Sequence, residues 1–329
     1  MKHTKRIPAL LLALCMVLAA SVTAFAAGNG FGGLNYSDDA SVAIVKIYRL
    51  EGNGTSPAET FTLQQIGDGV VIDGDAETAP ALGTVTGAAF AEGAATANGA
   101  EAEITVELPA YERVGVYAYT LREVAGTTAG VTYYGNDIRL VVTVINDDDT
   151  GKLRIAAVHT ESIGDEKNDT FPNIYSAGTL NITKTVTGNL GDKTRYFKFT
   201  VTLTGEAGKT YGESYAVTGG SYEGNPSEVR IGETATFYMK HGETVSVENL
   251  PYGVEYTVQE ETPEDYTVTA EGNTGTVGAA SVTAAFTNNK GGTPDTGITL
   301  DSLPYIAMLA LAAAGVLLLV AKKRASKDR

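Results

Sequence analysis

Apolar and polar residues alternate through most of the chain, and the alternation breaks repeatedly at short clusters of Gly, Asn and Asp. Ala43–Leu50, Ala102–Leu108, Gly115–Arg122, Ile138–Ile145, Phe197–Leu203, Thr244–Val247 and Val254–Gln259 are rich in β-branched and aromatic residues. Such residues suit a pleated, half-buried surface, so each segment is a predicted strand. The clusters Gly52–Gly54, Asp147–Gly151, Gly219–Gly224 and Glu271–Gly275 supply turns between them. No stretch between the two ends of the chain sustains helical periodicity with caps. Ala76–Ala102 is Ala-rich enough for a short helix, but Gly83, Gly87, Gly93 and Gly99 favour loop or weak strands. Many short strands separated by turn signals read as all-β, built of β-sandwiches.

The two ends follow other patterns. Lys2, Lys5 and Arg6 precede an apolar stretch from Ile7 to Ala20, and small residues lead to Ala24-Phe25-Ala26. This is the order of a secretory signal peptide, residues 1–26, which stands outside the fold. Near the other end an apolar run of 19 residues, Leu303–Ala321, is followed by Lys322, Lys323 and Arg324. About 20 helical residues cross a hydrocarbon core, and cations after a span stay on the cytoplasmic side. The only cysteine, Cys15, lies within the signal, so the exported chain has no disulfide. The full chain has a formal charge of −15. Without residues 1–26 and 297–329 it is 16 − 37 = −21. A field of that sign argues against nucleic acid or an anionic membrane surface as a partner.

About 270 residues remain between the ends, room for two domains, and an internal repeat divides them. Ile44-Val45-Lys46 is answered by Ile182-Thr183-Lys184, and Tyr119–Glu123 by Tyr256–Glu260. Each half closes on Phe-x-Asn, at Phe171–Asn173 and Phe286–Asn288. Lys and Glu are 77 positions apart in the first copy and 76 in the second. Glu and Asn are 50 apart in the first and 28 in the second, so the first copy holds extra sequence before its last strand. The predicted domains are residues 27–177 and 178–291, with a boundary near Ser176–Gly178 and a terminal segment 292–329.

Strand parity gives the repeat chemical meaning. Residues two apart share a face. Lys46, Lys184, Glu123, Glu260, Asn173 and Asn288 are all in phase with apolar neighbours, which points them inward. The strand of Lys46 is the least clear, because Val45 and Ile47 make its other face apolar as well. A buried charge is costly and tends to neutralise, pair or react. Burial leaves lysine a neutral nucleophile and favours a protonated glutamate that donates to the asparagine carbonyl and shuttles protons. Attack of the lysine nitrogen on the asparagine amide releases ammonia and leaves a Lys–Asn isopeptide bond between distant strands.

With its order of motifs, the chain resembles a Gram-positive backbone (major shaft) pilin of the streptococcal FctA type. The resemblance covers nearly all of the exported part. It implies two tandem immunoglobulin-like or CnaB-like β-sandwiches, each with a self-formed Lys–Asn bond: Lys46–Asn173 with Glu123 catalytic, and Lys184–Asn288 with Glu260 catalytic. Leu250-Pro251-Tyr252-Gly253 before Tyr256–Glu260 fits the CnaB-like pattern in the second half. Thr293-Pro294-Asp295-Thr296-Gly297, the apolar run and the basic tail together resemble an LPxTG-like cell-wall sorting signal, with Thr293 where Leu is usual. On that resemblance a sortase cleaves after Thr296 and passes its carbonyl to a lysine of a neighbouring subunit or to peptidoglycan. The acceptor implied by position is Lys167, in the polar run Gly164–Asp169, with Lys152 and Lys193 as competitors. The protein would be secreted and wall-attached, its precursor held transiently in the membrane.

Other chemistry is not carried by the sequence. His159 and His241 are far apart, and no His/Cys cluster has metal-ligand spacing, so no metal or cofactor is expected. Asp147-Asp148-Asp149 reads as a hairpin turn rather than a calcium site. No catalytic constellation of a turnover enzyme is present, and the predicted chemistry happens once per domain. The alternative function is a monomeric wall-anchored adhesin that binds a host protein or glycan and needs no acceptor lysine.

Overall fold

The computed structural model describes residues 41–162, 170–292 and 303–325, the last segment with side chains for 304–320. The signal 1–26, the acceptor Lys167 and the pentapeptide Thr293–Gly297 lie outside the described residues.

The first half contains β1 (Ser41–Gly52), β2 (Glu59–Phe61), β3 (Leu63–Gln65), β4 (Val70–Gly74), β5 (Val85–Thr86) and β6 (Ala88–Phe90). These are followed by β7 (Ala100–Glu107), β8 (Gly115–Glu123), β9 (Val131–Thr132), β10 (Ile138–Asn146) and β11 (Leu153–Ser162). After β12 (Phe171–Thr187) come β13 (Phe197–Thr204), β14 (Tyr215–Gly219), β15 (Glu228–Val229), β16 (Thr234–Met239) and β17 (Thr244–Pro251). The last strands are β18 (Glu255–Glu260), β19 (Thr267–Glu271), β20 (Thr274–Thr276) and β21 (Ser281–Asn289). A helix α1 (Leu303–Ala325) closes the described chain. The fold is all-β, as the alternation predicts, and Ala76–Ala102 is loop with the short strands β5 and β6.

The predicted boundary near Ser176–Gly178 falls within a strand. Strand β12 runs unbroken for 17 residues through Ser176–Gly178. Its first part pairs in parallel with β1 from Phe171 to Ala177, and its second part in parallel with β21 from Thr179 to Thr187. One ten-stranded sheet therefore passes through both halves. In the first half it opposes the sheet β11-β10-β8-β3, in which β4 also pairs with β8. In the second half it opposes β16-β13-β18-β20. Alternate residues are buried on either side of Tyr175–Gly178, where four in succession are buried and the inward positions change from odd to even; no turn cluster intervenes, so the strand continues.

Two apolar cores form between the facing sheets. The first gathers Tyr48, Phe61, Tyr117, Tyr119, Leu121 and Phe171 among others, with Tyr48 and Phe61 rings edge-on at 5.1 Å. The second gathers Ile182, Phe199, Phe237, Val258 and Phe286, with Phe199 and Phe286 edge-on at 5.1 Å. Complete burial of one such side chain stabilises by about 1.5–3 kcal/mol. The extra sequence of the first copy is largely the hairpin β10–β11, turned by Asp147, whose carboxylate accepts from the Asp149 and Thr150 amides. Those bonds hold the Asp147 carboxyl below the usual range, as in a hairpin turn. Among the described residues no group of His, Cys, Asp and Glu is placed to hold a metal.

Where the halves meet, backbone and side chains cross between them. Thr210 N donates to Thr127 O and Ala129 N to Thr210 O, each at 2.8 Å. Asn249, at φ 56°, accepts from Thr55 N and donates to Thr55 O, each at 3.0 Å. Gly52 makes the approach possible. Its φ is 85°, and a Cβ there would lie 2.1 Å from the Ala177 carbonyl oxygen.

Helix α1 has 23 residues, and its described side chains stop at Val320. Among the described residues no helix is long and apolar enough to cross a membrane.

Candidate functional site

All six repeat residues point inward, as parity predicts, and they meet in two clusters. Lys46 and Lys184 are each 1% exposed, and Asn173 and Asn288 are fully buried. The side chains of Glu123 and Glu260 are each 1% exposed. The doubt about β1 resolves in the same direction. Ile47 on its opposite face is buried too, so β1 is covered on both sides.

The two clusters share one construction. Lys46 on β1 is in register with Phe171 on β12, which places Asn173 two residues further along the adjacent parallel strand. Lys184 on β12 is in register with Phe286 on β21, which places Asn288 the same two residues further along. Each glutamate reaches in from the facing sheet, Glu123 from β8 and Glu260 from β18. Strand β12 thus carries the asparagine of one cluster and the lysine of the other.

In the first cluster Lys46 Nζ donates to Glu123 Oε2, and to Asn173 Oδ1 at 2.8 Å. Asn173 Nδ2 donates to Glu123 Oε1 at 2.6 Å. The backbone N–H of Tyr134 donates to Asn173 Oδ1 at 2.8 Å and more weakly to Glu123 Oε1 at 3.3 Å. In the second cluster Lys184 Nζ donates to both Glu260 oxygens at 2.8 Å, and Asn288 Nδ2 donates to Glu260 Oε1 at 2.6 Å. Asn288 Oδ1 is buried with no hydrogen-bond partner among the described residues.

Aromatic rings wall both lysines. Phe61 and Tyr134 stand 5.3 and 5.7 Å from Lys46 Nζ, and Phe197 and Phe199 stand 4.5 and 5.7 Å from Lys184 Nζ. Burial lowers the pKa of both lysines below the ordinary 10.5, and the partner glutamate pulls each partly back. A lysine held this way gives up its proton more readily than one in water, which exposes a nucleophilic lone pair beside an amide.

One part of the sequence expectation needs correction. Glutamate was expected to face the asparagine carbonyl oxygen, but in both clusters it faces the amide nitrogen. With Nδ2 donating to the carboxylate in both clusters, glutamate is placed at the leaving nitrogen. In the first cluster the carbonyl oxygen is met by Lys46 and by Tyr134 N–H, a donor that sequence reading missed. A backbone amide carries no side-chain signal, and only the placement of β9 beside β12 brings it there. His159 and His241 stay apart. His159 pairs with Glu161, and His241 accepts from the Val186 amide.

An all-β chain with two buried Lys/Glu/Asn clusters defines a class, and comparison with known proteins agrees. The family described as Spy0128-like isopeptide containing domain (FctA) matches residues 45–176, and a domain of unknown function (DUF7601) matches residues 178–290. The chain is 30% identical over 238 residues to a pilin of Streptococcus pyogenes serotype M1, covering 65% of this chain and 69% of that protein. It is 35% identical over 130 residues to the pilus tip adhesin Cpa of Streptococcus pyogenes, covering 37% of this chain and 18% of that protein. Among solved structures, the major pilin from Streptococcus pyogenes shares the fold with a TM-score of 0.51 at 23% identity. That match covers 78% of this chain and 100% of the other.

The chain belongs to the pilin family, as a backbone pilin of the FctA type. It is a structural protein of a Gram-positive cell surface, a pilus subunit with isopeptide bonds that assembles with other pilin subunits, and not a classical enzyme.

Proposed function

We propose that the isopeptide bonds of this pilin are Lys46–Asn173 and Lys184–Asn288, formed once each with Glu123 and Glu260 as proton carriers. Neutral lysine attacks the asparagine Cγ, one Nζ proton passes through glutamate to Nδ2, and ammonia leaves. The observation that carries this reading is the duplicated geometry. Lysine and asparagine sit on adjacent parallel strands in the same register, and a buried glutamate bonds to both. The product is a neutral amide, so the reaction also removes a buried charge, which is otherwise costly in a core.

The same reading divides the chain into a signal at 1–26, sandwiches at 27–177 and 178–291, and a sorting segment at 292–329. Sortase would transfer Thr296, from Thr293–Gly297, to Lys167 of a neighbouring subunit in the shaft or to peptidoglycan at the base. The segment 303–324 would keep the precursor at the membrane until then. The apolar run and the cations after it support that role.

Intact mass of the exported protein tests the bonds. One ammonia should be missing per domain, and Glu260→Ala should restore one. An unmodified mass in the parent protein would overturn the assignment. For the polymer joint, a ladder of covalent multimers should run from cell-wall extracts on a denaturing gel and vanish with Lys167→Ala. A ladder that persists in that variant would exclude Lys167.

A further inference from the structure

The geometry points to the backbone N–H of Tyr134 as a catalytic oxyanion donor that makes the first bond form faster than the second. The inference rests on the bond assignment proposed above and deepens it. Asn173 Oδ1 is where negative charge gathers once Lys46 Nζ adds to Asn173 Cγ. A fixed amide 2.8 Å from that oxygen stabilises the tetrahedral intermediate and needs no reorganisation.

The donor is available because a strand ladder stops. β9 pairs with β12 only at Thr132↔Ile174 and Val131↔Tyr175. Beyond Thr132 the chain leaves the ladder, and its next residues pass the Asn173 side chain. Tyr134 is held there by its ring, edge-on to Phe171 at 5.3 Å. In the second half the strand beside the asparagine is β19, which pairs Val268 with Asn288 and stays in the ladder with β21 as far as Glu271 opposite Ala285. No residue is released at that point, and Asn288 Oδ1 is left without a donor among the described residues.

The step balances with or without the donor. The carbonyl π pair moves to Oδ1 as the Nζ–Cγ bond forms, and one Nζ proton goes by way of Glu123 to Nδ2. The Cγ–Nδ2 bond then breaks, ammonia departs, and the Oδ1 pair restores the carbonyl. Tyr134 N–H changes only the energy of the charged intermediate.

Cell-free synthesis of the exported chain, with acid quenching at intervals and peptide mass mapping, follows both cross-links in one molecule. In the unsubstituted protein the Lys46–Asn173 peptide should accumulate first. Tyr134→Pro removes the N–H and should slow that bond about 10²-fold while Lys184–Asn288 forms at its usual rate. If Tyr134→Pro impairs folding, seen as loss of the second bond too, an ester in place of the 133–134 amide decides. It keeps the side chain and lacks only the donor. Equal rates at the two sites, or an unslowed first bond in the proline or ester protein, overturns the proposal while the bond assignment stands. Absence of both cross-links from the unsubstituted protein overturns the two together.

Discussion

The two buried clusters of this pilin have the same three residue types, the same strand register and the same aromatic walls, yet they differ at one oxygen. Asn173 Oδ1 accepts from Lys46 and from Tyr134 N–H, whereas Asn288 Oδ1 has no partner among the described residues. Lysine differs in consequence. Lys46 divides its donors between glutamate and asparagine, while Lys184 gives both to Glu260. A buried acceptor left unpaired costs about 1–3 kcal/mol, so the second cluster is the more strained before reaction. Residues that perform the chemistry can thus be duplicated faithfully while the backbone around them sets how well each copy works.

The largest effects should come from glutamate. Glu123→Ala or Glu260→Ala removes a cross-link and also leaves a buried lysine unpaired. The second loss alone costs about 3–5 kcal/mol. Thermal unfolding followed by calorimetry should show the greatest drop for these variants. A drop no larger than that of the matching asparagine variant would mean that the lysine escapes to solvent.

Asn173→Ala and Asn288→Ala remove only the cross-link. By the chain-entropy argument, closing a loop of about 100 residues stabilises by about 4–5 kcal/mol. The loops are 127 and 288 − 184 = 104 positions, so the two losses should agree closely. Markedly unequal losses would show that the clusters differ in thermodynamics and not only in rate.

A smaller contrast lies in pH. Only neutral lysine attacks, and burial lowers both lysine pKa values below 10.5. Below the folded-state pKa the rate of cross-linking should therefore climb about tenfold per pH unit. It should level off before the ordinary lysine range is reached. A rate still rising through 10.5 at either site would mean that its lysine is not desolvated when it reacts. The smallest effect is expected at the joint. Asn249→Ala removes two bonds to Thr55 and should cost about 1–2 kcal/mol. Both cross-links should remain, as read by the same mass mapping.

Much of this architecture is legible along the chain because strand periodicity is local. Parity orients Glu123, Asn173, Lys184, Glu260 and Asn288, and less clearly Lys46, since a side chain's face depends on its neighbours two positions away. The seven predicted strands fall on β1, β7, β8, β10, β13, β17 and β18. The repeat changes copy at Ser176–Gly178, and a repeat says nothing of backbone continuity, so only the fold shows one strand passing through. The change of parity inside β12 lets Asn173 and Lys184, 184 − 173 = 11 positions apart, both face inward, and it is centred on Ser176–Gly178. Asn249 could not be found this way, because its partner Thr55 is 194 positions distant.

The sequence by itself determined the all-β class, the paired trios and their inward direction, because composition and period are properties of neighbours. Tertiary structure decided which cluster's asparagine oxygen is polarised, and that one strand should serve both. Those outcomes depend on where β9 and β19 end against their partners, and a ladder's length is set by contacts between residues far apart in the chain.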